Sequence, residues 1–139
     1  MTVPDGARLS DDGLRALGRS LREIDPTALS VDAEEGRARW MLGDAGTELF
    51  SWTHEGALVP HHVQLVFSRR SVEWSVAQGL VTGEFAGMAA MSGGRFDPYL
   101  LQTHASVDLT LCRAARTLLE ASPLPALELG GMLGALEVL

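Results

Sequence analysis

The chain has 139 residues, 46% of them hydrophobic and 21% charged, a balance that suits one packed domain and excludes wholesale disorder. Its formal charge of -7 and its scattered arginines, from Arg8 to Arg116, argue against a nucleic-acid partner. Lysine and asparagine are absent, which excludes a phosphate-loop lysine, a Schiff base, a Ser-Lys dyad and a Cys-His-Asn triad.

Ile24 is the sole isoleucine, and with no lysine or asparagine the codon usage points to a high-GC bacterial genome. Cys112 is the single cysteine, so no intrachain disulfide can form. No stretch reaches the roughly 18 apolar residues of a membrane span, and Met1 to Ser10 lacks a signal-peptide pattern. A cytoplasmic location is the expectation.

An amphipathic helix is predicted over residues 9–25. Ser10 caps it, Asp11 and Asp12 suit its positive end, and Leu14, Leu17, Leu21 and Ile24 recur at helical spacing before Asp25-Pro26. Residues 28–85 then change to short alternating runs broken by turn residues, the mark of an antiparallel meander. Six strands are expected, near residues 28–32, 37–42, 48–54, 57–68, 71–77 and 80–85.

Hairpin arithmetic predicts the faces, because directly paired residues share one. A three-residue loop at Asp44 to Gly46 sets Trp40 opposite Phe50. A two-residue loop at Glu55-Gly56 sets Phe50 opposite His61 and Trp52 opposite Val59. A two-residue loop at Arg69-Arg70 sets Leu65 opposite Trp74. On this reading Trp40, Trp52 and Trp74 converge on one face, and Ser51, His62, Gln64 and Glu73 occupy the other.

Residues 86–103 are rich in glycine and methionine and read as a loop. A second helix is predicted over 106–121, with Val107, Leu111, Ala114, Ala115 and Leu118 on its apolar side. The tail, 126–139, carries Leu127, Leu129, Met132, Leu133, Leu136, Val138 and Leu139 with only two charges, unusual for a chain end. The expected fold is α+β: a β-meander of five or six strands with an N-terminal and a C-terminal helix packed on one face.

The four histidines invite metal or acid-base chemistry. Yet His61 and His62 are adjacent on a strand and point to opposite faces, His54 is expected several residues from His61 along the ladder, and His104 lies beyond the meander. His61 is expected to be buried beside Phe50, with His54 and His62 in solvent. Neither a His-Glu-x-x-His helix nor a Cys-x-x-Cys element is present, so no metal or cofactor is assigned. Cys112 falls beside helical apolar residues, where a thiol fills space.

The functional expectation is a non-catalytic interaction module, an adaptor or regulatory partner that also self-associates, using the tail residues as its interface. The alternative is a binder of a small apolar ligand lined by Trp52, His61 and Trp74. A His-dependent enzyme using His54, His62 or His104 is the third reading.

Overall fold

The computed structural model describes residues 10–24, 36–85 and 101–136. It is an α+β fold with one antiparallel sheet in simple meander order, strands β1 to β7 lying side by side as they follow in the chain. The expected strand at 28–32, the body of the loop at 86–103, and Val138 and Leu139 lie outside the described residues.

Helix α1 (Asp11–Ser20) begins as its sequence dictates: the Ser10 side chain accepts a hydrogen bond from the Gly13 amide at 3.1 Å, with Asp11 and Asp12 in the first turn. It ends earlier than the leucine spacing predicts. The Ser20 hydroxyl donates back to the Leu17 carbonyl at 2.6 Å and accepts from the Asp44 amide at 2.8 Å. Leu21 turns extended and stays buried, and Arg22–Glu23 pair with the next strand as β1.

Strands β2 (Arg37–Leu42) and β3 (Glu48–Thr53) join through a short 3-10 turn in which Ala45 and Gly46 take positive φ, and Trp40 pairs with Phe50 as the loop length predicts. Strands β4 (His62–Phe67) and β5 (Arg70–Ser75) join through Ser68 and Arg69, both at positive φ, which fits a two-residue turn with the sheet's own twist. Leu65 therefore pairs with Val72 and Val63 with Trp74. This register is two residues from the expected one, so every side chain keeps its face.

The β3–β4 connection behaves differently. Glu55-Gly56 does form a tight turn, closed by the Ala57 amide donating to the His54 carbonyl at 2.9 Å with Gly56 at φ 82°. The chain then runs on through Leu58, Val59 and Pro60 before pairing resumes, and Trp52 meets His62 instead of Val59. Pro60 has no N–H to give a central ladder, which is why the expected strand 57–68 begins only at His62. A slip of three residues is odd and inverts the face of β2 and β3 relative to β4 and β5.

The expected convergence of three tryptophans is thereby corrected. Met41, Leu49, Val63, Leu65, Phe67, Val72 and Leu80 share the face covered by the helices, with Trp74 beside them. Trp40 and Trp52 stand on the opposite face.

Strand β6 (Gly79–Phe85) carries Thr82 under the start of α2, and β7 (Leu101–Thr103) adds an edge strand where a loop is expected. The Thr82 hydroxyl accepts from the Asp108 amide at 2.9 Å and bonds His104 Nδ1 at 2.8 Å. Asp108 caps α2 (Leu109–Glu120), its carboxylate accepting from the Leu111 amide at 3.1 Å. Leu111, Cys112, Ala115, Leu118 and Leu119 fill the core between α1 and the sheet. Ser122 to Pro125 then break the chain, and the tail folds back as α3 (Ala126–Ala135).

Candidate interaction surfaces

Folding back of the tail separates its predicted interface residues. Met132 and Leu136 are buried in the core, and Leu129 and Leu133 pack against it. Leu127 remains 62% exposed. Arg39 locks the helix in place, donating to Glu128 at 2.7 Å and to Glu23 at 2.6 Å, so one guanidinium ties α3 to β2 and β1.

Among the described residues, three exposed large apolar side chains lie on turns at one end of the sheet, and Leu109 at the start of α2 is exposed as well. Leu58 (69% exposed) and Val59 (45%) lie on the β3–β4 connection, and Val76 (73%) on the β5–β6 turn. The Val76 amide donates to the His61 carbonyl at 3.0 Å, which fastens that turn to the connection. A Cβ added at Gly131 would run into Val59 Cγ1, so Val59 rests on α3, and Leu127 lies one helical turn before Gly131. Between His54 and His61 the sole charge is Glu55, and Val76, Ala77 and Gln78 carry none.

His54 and His61 meet at this end. Their rings stack at 3.6 Å between centroids with planes 8° apart, close together where the sequence places them apart. The longer connection brings His61 back beside His54, since the His61 amide donates to the Trp52 carbonyl at 2.9 Å. His61 is consequently partly exposed and not buried beside Phe50.

The opposite sheet face carries a second feature that hairpin arithmetic misplaced. Trp40, Phe50, Trp52 and His62 form a row of near-parallel rings, with successive centroids 5.6, 5.8 and 4.4 Å apart and interplanar angles of 6°, 14° and 25°. All four are partly exposed. The Trp40 indole N–H donates to Glu48 at 2.9 Å, and His62 Nε2 lies 2.6 Å from a Glu73 carboxylate oxygen. Toward the β4–β5 turn the same face closes, with Val66, Ser71 and Phe85 buried.

The residues of the small-ligand reading do not come together. Trp52 belongs to the ring row, Trp74 to the helix-covered face, and His61 to the stacked pair beyond the strand. Trp74 does line an apolar cavity with Val63, Leu119, Met132 and Leu136, but its volume of about 20 Å³ holds no more than one water.

For acid-base chemistry, the described histidines are engaged in separate places: His62 with Glu73, His104 with Thr82, His54 with His61. Cys112 is buried in α2, and burial, with the Asp108 carboxylate nearby, pushes its thiol above the usual range. Among the described residues no three His, Cys, Asp or Glu side chains gather into a metal-ligating group. No helix among them is long and apolar enough to cross a membrane. No family model matches the chain, and neither a curated protein nor a solved structure matches it.

Proposed function

We propose that this chain is a non-catalytic protein-interaction module that associates with a second copy of itself through the apolar end formed by Leu58, Val59, Val76 and Leu127. The observation carrying this reading is that exposed apolar side chains stand on three elements that touch one another, the two turns joined by the Val76–His61 backbone hydrogen bond and α3 approached by Val59 at Gly131. Holding four aliphatic side chains in water is unfavourable by about 25 cal/mol per Å² of apolar surface, and such patches mark contact sites.

A second copy is favoured as occupant because the patch has little charge of its own. Two chains of net charge -7 repel across most of their surfaces, and least where His54 to His61 supply only Glu55. A two-fold contact repeats the same patch on both sides. Four side chains are fewer than a standard interface uses, so the association is weak and concentration-dependent. The tail contributes through Leu127, while its other described apolar residues hold α3 down. A bacterial cytoplasm belongs to the same reading, being consistent with an unpaired, buried thiol at Cys112.

Sedimentation velocity from low micromolar to near-millimolar protein tests this. The full chain should move from monomer toward dimer, and a Leu58→Ser, Val76→Ser, Leu127→Ser variant should stay monomeric with unchanged far-UV circular dichroism. A full chain that remains monomeric throughout the range would sink the self-association reading.

A further inference from the structure

The row of rings lies on the sheet face opposite the three described helices and offers a different chemistry from the apolar end. We propose that Trp40, Phe50, Trp52 and His62, together with Glu48 and Glu73, form a docking site for an extended, arginine-rich segment of a partner protein.

Three observations select a basic occupant. The first is geometric: the near-parallel rings are partly exposed, and guanidinium groups stack on aromatic faces. The second is the position of the carboxylates. Glu48 is held beside the Trp40 indole and Glu73 beside His62, so acceptors flank the row and can pair with the same guanidinium that stacks on a ring. The third is the distribution of charge over the two faces.

Among the described strands, Arg37, Arg39 and Arg70 have the register of the helix-covered face, and Arg22, on the short edge strand β1, is the arginine that shares the face of the rings. Glu48 and Glu73 outnumber Arg22 there, so the described strands leave this face weakly acidic within an acidic chain, which favours a cationic occupant. An aromatic platform can also receive nucleic-acid bases, but here a phosphate backbone would meet Glu48, Glu73 and a net charge of -7. A purely apolar ligand would take both carboxylates out of water while adding no charge to balance theirs.

The test uses the intact chain carrying Trp74→Phe, which removes the tryptophan on the opposite face and leaves Trp40 and Trp52 as reporters. It is titrated with a peptide alternating arginine and glycine, with the glutamate counterpart, and with oligothymidylate. Saturable quenching by the arginine peptide alone is expected, weakening as salt rises. Glu48→Gln with Glu73→Gln should lower affinity at least about tenfold, and each amide oxygen can still accept the native hydrogen bond, which preserves the fold. Asp12→Asn with Glu120→Gln removes the same charge from the helices and should change affinity by less than about twofold. The proposal is overturned by an absence of saturable quenching, by equal losses in the two charge variants, or by equal binding of oligothymidylate.

Discussion

Trp52 and His62 face each other across β3 and β4 with rings 4.4 Å apart, and this one pairing decides which side of the sheet every residue of β2 and β3 occupies. It places Ser51, not Trp52, over the core, where Ser51 is 1% exposed. The partly exposed ring row and the exposed Leu58 and Val59 both follow from it, because the residues that the connection consumes are no longer available for pairing.

Glycines report the closeness of packing. A Cβ at Gly18 would meet the Leu118 carbonyl oxygen, a backbone atom that cannot move aside where α1 crosses α2. Gly18→Ala should therefore destabilise by roughly 1–3 kcal/mol. Gly130 and Gly134 have open space at the same position, and Gly130→Ala or Gly134→Ala should each stabilise by about 0.5–1 kcal/mol through helix propensity. Thermal melts of the three variants check both signs; a neutral Gly18→Ala would contradict the close α1–α2 crossing.

Thr82 is 1% exposed and its hydroxyl serves two partners, the Asp108 amide and His104 Nδ1. Thr82→Val keeps the shape and strands both, so a loss of roughly 1–3 kcal/mol is expected in urea unfolding. The α2 amides nearest Asp108 should also exchange hydrogen faster. Native exchange rates there would show that the hydroxyl does not anchor the helix.

How much of this was legible in the sequence varies with the physics involved. The caps and leucine periodicities announce α1 and α2, although α1 is cut short by a competing pairing of Arg22 and Glu23 with β2. Loop length alone gives the β2–β3 register, since Ala45 and Gly46 can both adopt positive φ. At Glu55-Gly56 the turn is legible but the register is not: a tight turn need not be followed at once by pairing. Pro60 is the signal that could have corrected it, because a proline inside an expected central strand contradicts that strand. The docking of the tail was open in the sequence, since hydrophobic content alone does not distinguish a core helix from an interface.

Arg39 joins Glu23 and Glu128 from a partly buried position, with 25% of its side chain exposed and 19% of that of Glu128. Such a pair lies between the surface and buried limits, so Arg39→Ala should cost about 1–2 kcal/mol. A double-mutant cycle with Glu128→Ala should return a coupling of about 1 kcal/mol. Strict additivity would mean that the ion pair does not hold α3 to the sheet.

Cys112 should resist alkylation in the native state and react only after unfolding, because its buried thiol ionises above its ordinary value of 9.0. A raised value in the fold favours the neutral thiol there. This contribution to stability is fully present below pH 9.0 and is lost as pH rises through the folded value. Cys112→Ala should flatten that alkaline decline; an unchanged profile would assign it to other groups.

The apolar end is tested most directly by a dilution series of amide NMR spectra on the full chain. Self-association through this surface is expected to shift the resonances of Leu58, Val59, Val76 and Leu127 progressively with concentration while Trp40 and Trp52 stay fixed. Spectra independent of concentration, or shifts confined to the ring row, would contradict it.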